Sequence, residues 1–413
     1  MKGTYLHLFE TEADFKQARE NNYIEPWVSV TNTGNDEYRV DYNKSEYEKL
    51  LGTPLTFKIT SNGNIVWKAQ NTSYTKKIQY CKNGGEWTSI TATTAGTSFS
   101  VVSGDTVQFR GDNATYSSGA SRYNTFIGTT CGFKTYGNIM SLIDSTGFTT
   151  ATTLQSGYTF IYFFRNCTGL TDASKLVLPA TTLANYCYYS MFGGCTSLTT
   201  APALPATTLA NYCYYSMFSG CTSLTSAPEL PATTLAQYCY QSMFGGCTSL
   251  TTAPELPATT LAQGCYSNMF YDCTSLTTAP ALPAMTLEDF CYNYMFTGCT
   301  SLTTAPELPA TTLAQYCYSY MFTDCTSLTS APELPATTLA NYCYSYMFYG
   351  CSNLNYIKCL ATNISANSCT SSWVSGVASS GTFVKNPNIV VGTGGWSRGT
   401  SGIPTNWTVE DAS

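Results

Sequence analysis

Charge is scarce in this chain: only 11% of its 413 residues are Asp, Glu, Lys or Arg, and histidine occurs once, at His7. Basic residues are missing altogether between Lys175 and Lys358, where charge comes only from Glu229, Glu255, Asp272, Glu288, Asp289, Glu307, Asp324 and Glu333. Nucleic acid is gripped through its phosphates by Lys and Arg, and the net charge of −6 argues the same way, so no nucleic-acid partner is expected. One histidine, no phosphate-loop signature and no nucleophile motif with partners leave general-base and phosphoryl chemistry without their usual residues. Two placed carboxylates would suffice for a glycosidase. Those available (Glu229, Glu255, Glu307, Glu333) recur at one spacing, as repetition does, and no catalytic residues are expected. No apolar run reaches the ~18 residues that a membrane helix needs, so no membrane insertion is expected. The opening MKGTYLHLFETEADF meets Glu10 and Glu12 before any apolar stretch, and is not expected to act as a signal peptide.

What is present is a repeat. Seven units of 26 residues, spanning 178–359, are marked by Met-Phe pairs at Met191, Met217, Met243, Met269, Met295, Met321 and Met347. Cysteine keeps the same frame in two columns, one from Cys187 to Cys369 and one from Cys195 to Cys351, preceded by Cys167. Within a unit, Leu183, Cys187 and Met191 recur at every fourth position beside Ala184, Tyr188 and Phe192. That apolar stripe predicts a short amphipathic helix over 183–193, with Thr182 as N-cap and Gly193-Gly194 as its stop. The other half, Cys195 to Pro205, is too short and too rich in Thr and Pro for helix, and predicts an extended segment turning Leu198, Ala201 and Leu204 inward. Helix plus strand per unit predicts an α/β repeat solenoid of leucine-rich-repeat type. Pro202, Pro228 and Pro254 each remove a ladder donor, which argues against a long continuous parallel sheet.

The flanks read differently. More than half of the charged residues precede residue 126. Residues 1–52 predict a small α+β attachment module, with strands at Tyr5–Phe9 and Pro26–Val30 and a helix opening at Thr11. Residues 53–125 predict a β-sandwich-like domain, with strands at Leu55–Ile59, Asn64–Ala69, Lys77–Cys81, Glu86–Ile90, Ser98–Val102 and Thr106–Arg110. Asn83-Gly84 supplies a hairpin turn, and Asn113 to Asn124 reads as a linker. Residues 126–177 predict a leading solenoid cap and 360–413 a trailing one, terminal units of a repeat array being atypical.

The 19 cysteines invite a metal reading, but zinc sites want CxxC-type pairs, often with histidine. Spacings of C-x7-C and C-x17-C fit buried thiols filling one slot per turn; no metal or cofactor is expected, and the thiols are expected to be reduced. Tyrosine is the more informative residue, at 32 copies. Two columns after the first cysteine vary while the Leu, Met, Phe and Cys columns hardly do. They carry Tyr189 and Tyr215 in one column, and Tyr294, Tyr320 and Tyr346 in the next. Variation puts both columns toward solvent, either as a flat amphipathic surface for sugar or protein, or as unconstrained drift.

The repeat core MFxGCTSLTTAPELPATTLA resembles the BspA-like leucine-rich repeats of bacterial surface proteins. The opening YLHLFETEADF, the later YIEPWVSVT and VDYNK, GNIMSLI from Gly137 and the closing GIPTNWTV look like multi-domain repeat proteins of gut anaerobes and their phages. The resemblance implies a non-enzymatic binding or adhesion protein. Its favoured form is a virion component of a phage tail or fibre, recognising a host-surface protein or glycan through the repeats. The N-terminal region would then dock other virion proteins, and a homo-oligomer is compatible with that role. The alternative it implies is an extracellular adhesin on the bacterial cell surface.

Overall fold

The structure, a computed structural model, describes residues 3–4, 28–32, 38–42, 44–154 and 156–413, with side chains described from Glu46 onward. The expected strand Tyr5–Phe9 and the helix opening at Thr11 lie outside the described residues. Strands β1 (Gly3–Thr4), β2 (Val28–Asn32) and β3 (Tyr38–Tyr42) form an antiparallel sheet in the order β1-β3-β2. Helix α1 (Lys44–Leu51) follows.

The next segment alternates buried and exposed residues, the period of a half-buried strand. It forms β4 (Leu55–Ile59), β5 (Gly63–Ala69), β6 (Lys77–Lys82), β7 (Thr88–Thr91), β8 (Thr97–Val101) and β9 (Thr106–Arg110). The β6–β7 hairpin turns at Asn83-Gly84 with φ of 52° and 72°, the double left-handed geometry that Asn-Gly tolerates best. The stretch after β9 is no linker. Tyr116 is buried and its hydroxyl donates to the Leu142 carbonyl at 2.6 Å, while β10 (Asn124–Thr125) pairs with β5. Aromatic burial outweighs the Ser/Gly composition from which a linker was expected.

Two further strands connect this sandwich to the repeats. Strand β11 (Phe133–Asn138) runs antiparallel to β4 and parallel to β12 (Leu170–Val177), giving one six-stranded sheet in the order β12-β11-β4-β9-β6-β7. The separate sheet β10-β5-β8 packs against it, with Phe99 of β8 stacked on Tyr80 of β6 at 3.9 Å. Phe57 packs on Phe109, Phe126 and Phe133, and also meets Phe164, which stacks on Phe192 of the first regular unit. Sandwich and repeats therefore share one apolar core.

The repeats correct the helical expectation. Residues 183–193 and their equivalents are a run of overlapping turns, with no α-helix. In an α-helix each i+4 step advances about 40° around the axis, so a strict period of four held from Leu183 to Cys195 would leave one face. The chain resolves this with left-handed residues every fourth position, at Tyr186 (φ 60°), Ser190 (φ 47°) and Gly194 (φ 73°). Alternate amides close turns within the unit, as Cys187 to Ala184 and Met191 to Tyr188. The others reach the next coil: the N–H groups of Tyr186, Tyr188, Ser190, Phe192 and Gly194 donate to the carbonyls of Asn211, Cys213, Tyr215, Met217 and Ser219 at 2.7–3.0 Å.

The extended half is held more loosely. Regular coils pair there only through isolated parallel bridges, such as Thr252–Thr278, as the prolines imply. Inside the stack the Cys187, Met191, Phe192, Leu198 and Leu204 columns are buried in every regular coil. The Leu183 column is buried at Leu183, Leu261, Leu287 and Leu339 and half-buried at Leu209, Leu235 and Leu313. Phenylalanine and buried tyrosine form stacked columns, for example Phe244–Phe270–Phe296 and Tyr214–Tyr240–Tyr266. From the end of coil seven onward, β13 (Tyr356–Cys359), β14 (Thr382–Lys385) and β15 (Thr408–Asp411) close the stack as a parallel sheet.

Candidate contact surface

All 19 cysteines are free and buried. The second column does more than fill space. The thiol of Cys221 donates to the Phe192 carbonyl at 3.2 Å, and Cys247, Cys273, Cys299, Cys325 and Cys351 repeat the contact. Each thiol thus adds a coil-to-coil bond to a carbonyl otherwise bonded only within its own turn. Burial raises the thiols of both repeat columns, Cys213 to about 12, so they are poor nucleophiles and poor metal ligands in the folded chain. Among the described residues no three His, Cys, Asp or Glu side chains gather as a metal site.

The left-handed columns shape the outer face of the turns. For an L-residue that conformation costs roughly 1–2 kcal/mol; Gly, Asn and Asp bear it most easily, and they fill the Gly194 column. The other two columns carry Tyr, Phe, Ser and Asn at the same geometry. Face-to-face rings offset that strain, since an aromatic pair contributes about 0.5–1.5 kcal/mol beyond its burial. Tyr189 and Tyr215 stack at 4.4 Å and 5°. Tyr294, Tyr320 and Tyr346 stack at 4.3 and 4.6 Å. The structure therefore brings the five expected tyrosines together as two ladders of half-buried rings.

The two variable columns share one surface. Where tyrosine takes the first position, its neighbour is Ser190 or Ser216; where it takes the second, Asn293, Ser319 and Ser345 are buried beside it. In coils one, two and five to seven, one ring per coil stands beside one small polar residue. Burial, reinforced by the neighbouring Tyr215 and Tyr162, raises the Tyr189 hydroxyl well above its ordinary range, and Tyr294 rises to about 12 for the same leading cause. These rings are neutral at any physiological pH and offer hydroxyl donors.

Sequence reasoning missed a third ladder. Tyr158, Tyr186, Tyr212 and Tyr238 stack at 4.6–4.9 Å, and Phe290, Tyr316 and Tyr342 resume at 4.5–4.8 Å. Between them stands Gly264. This column was not singled out in the sequence; its one useful signal was the single glycine in an otherwise aromatic column. The ladder adjoins the expected tyrosines, with Tyr186–Tyr189 and Tyr212–Tyr215 both 6.0 Å apart. The face thus carries two aromatic patches, one in coils one to three and one in coils five to seven. The acidic column behaves differently: Glu229, Glu255, Glu307 and Glu333 are exposed, and Glu333 pairs with Lys358 at 2.9 Å.

Stacked 26-residue coils with inward Leu, Met and Phe define a leucine-rich-repeat protein, here with turns in place of helices. A family model for BspA-type leucine-rich repeat regions matches in six copies over residues 149–277 and 265–377, more than half of the chain. The chain belongs to this family. No curated protein and no solved structure matches it.

Proposed function

We propose that this is a non-enzymatic binding protein whose two tyrosine patches contact a host-surface protein or glycan. The observation that carries the reading is the pair of ordered, half-buried tyrosine ladders on coils whose sequence holds no Lys or Arg between Lys175 and Lys358. Rings already fixed by stacking lose little freedom on binding, and repetition along the stack multiplies weak contacts. BspA-type repeats are consistent with adhesion. In the finer form of the proposal the chain is part of a phage tail or fibre, and the charge-rich N-terminal region docks other virion proteins. A bacterial surface adhesin is favoured equally by the repeat family itself.

The test is binding of the full chain to intact gut-anaerobe and host epithelial cells, at low and high salt. Binding that survives high salt is expected, because no cationic patch on the coils drives it. Replacing Tyr189, Tyr215, Tyr320 and Tyr346 together by Ser should weaken it at least tenfold; unchanged binding would remove the tyrosine face from the reading. Detecting the chain in purified phage particles, or instead in a cell envelope, separates the two placements. Separating residues 126–413 from the rest is a poor test of labour division, since it strips β4 from its partner β11.

A further inference from the structure

We propose, resting on the surface-binding reading above, that the leading edge of the first tyrosine patch is a subsite for an acidic sugar, with Arg165 holding its carboxylate. The first patch does not begin in coil one. Tyr162 of the leading cap meets Tyr189 edge-on, at 5.4 Å and 89°, and Tyr123 from the sandwich meets Tyr162 at 4.8 Å and 63°. Tyr189 then stacks on Tyr215. Four half-buried rings thus run from the sandwich into coil two, set at steep angles at the leading end.

Local backbone fixes this corner. The Thr125 hydroxyl contacts the Tyr162 and Phe163 carbonyls, and the Phe126 amide donates to Phe163 as well, which ties the Tyr123 segment to the cap. The Arg165 amide closes a turn onto the Tyr162 carbonyl at 3.1 Å, the turn that Gly193 makes with Ser190 and Tyr271 with Asn268 in later coils. Arg165 therefore stands beside Tyr162, and its guanidinium lies over that ring, 4.7 Å from the centroid. Burial raises the Tyr123 hydroxyl, and the Arg165 charge works against that rise, so the cation reaches both rings.

Two features set this arginine apart. It is exposed, and among the described residues no carboxylate pairs with it, whereas Lys82, Lys134, Lys175, Lys358 and Lys385 each have an acidic partner. The matching position in the seven regular coils holds Gly, Ser, Tyr or Thr and never a base. The second patch has the opposite character. Asp272, then burial and Asp324, raise the Tyr271 hydroxyl, and Tyr271 is among the neighbours that add to the burial-led rise of Tyr294. One patch carries a cation and the other carboxylates.

A planar guanidinium lying on a ring keeps its N–H edge for a ligand, and that edge matches a carboxylate bidentately. The rings supply the rest of a sugar site. A pyranose packs its C–H face on an aromatic face, and the Tyr123 and Tyr189 hydroxyls, kept protonated by burial, donate to its oxygens. An acidic peptide would satisfy Arg165 but would meet no further base along the coils to match its other charges. One cation against one carboxylate selects among ligands rather than driving them to the surface, so binding as a whole stays tolerant of salt.

The experiment measures the full chain on immobilised sialyllactose and a glucuronate-terminated oligosaccharide. Each stands beside its neutral counterpart, lactose and the carboxyl-reduced form, and an aspartate-rich peptide is a further arm. Wild type should bind at least one acidic oligosaccharide at least fivefold more tightly than its counterpart. Arg165→Gln should abolish that preference while melting with wild type, and Lys77→Gln, an equal loss of charge elsewhere on the sandwich, should not. If Arg165→Gln melts lower, Arg165→Lys decides: it keeps the charge and loses the fork, and full preference retained would overturn the subsite. No preference in wild type, a preference that survives Arg165→Gln, an equal loss with Lys77→Gln, or tighter binding of the peptide would each overturn it too. So would absence of glycan binding by a chain that still binds cells. All of these leave the broader surface-binding reading standing; failure to bind cells at all would remove that reading as well.

Discussion

The coils that carry the strand proline and the two ends of the stack, where that one proline is replaced, solve the same stacking problem differently. At the trailing end, where Lys358 stands in place of the repeat proline, β13–β15 pair residue by residue, and Ala331, Leu334, Asn355 and Leu360 make coil-to-coil bonds of 2.9–3.0 Å. At the leading end Ser174 takes that position, within β12. In the regular coils the corresponding contacts, such as Thr277 to Thr251 and Thr303 to Thr277, stretch to 3.5 Å. Proline has no amide to donate, so cohesion moves to the turn side, where five amides per coil and one thiol reach the neighbouring coil. The strand side of this repeat is spacing; the turn side is structure.

The largest effect that should sharpen this contrast is alkaline unfolding. The cysteine and buried tyrosine columns are raised by burial, with Cys213 and Cys265 near 12 and Cys221 and Tyr214 raised well above their ordinary values. Each such group holds its proton more tightly folded than unfolded. The stability it supports is complete below the unfolded thiol value, about 8.5–9, and is lost as pH rises through the folded one. The sandwich holds few such groups, Cys131 near 11 among them. Hydrogen exchange stepped from pH 7 to 11 should show the coils opening before the sandwich; simultaneous opening would mean that the shared core makes them one cooperative unit.

Next in size is Phe270→Ala, which removes a fully buried ring from the Phe244–Phe270–Phe296 column and should cost about 3–5 kcal/mol. Coils couple to neighbours, so lost amide protection should centre on coils three to five. Uniform loss across the chain would contradict that.

A smaller difference separates the two cysteine columns. Cys247→Ala loses a thiol that donates to the Phe218 carbonyl at 3.2 Å, whereas Cys239→Ala should lose chiefly packing. Denaturant melts should rank Cys247→Ala lower by about 1 kcal/mol. Reversal of that order would reduce the thiol bond to a by-product of packing. The smallest effect belongs to Pro254→Ser, which copies the leading end. Stability should move by no more than about 1 kcal/mol. Protection of the new amide at position 254 would show that proline alone keeps the strands apart.

From sequence alone, the columns settled which side chains lie inside: a thiol, thioether or ring every 26 residues can be buried in register only if the coils stack. Alternation likewise located β4, β5, β6, β8 and β9 to within a residue or so, and Asn83-Gly84 named its own turn. Site legibility was partial. Variation exposed Tyr189, Tyr215, Tyr294, Tyr320 and Tyr346, but the steadier ladder through Tyr186 and Tyr212 offered no such contrast and was passed over. Whether the Leu183 stripe coiled into a helix or bent into turns could not be decided locally. The turns leave alternate amides without a partner inside their own coil, and only the carbonyls of the next coil supply one. The union of sandwich and repeats was equally nonlocal, for β11 lies between β4 and β12 through pairings that span many tens of residues and leave no period to read.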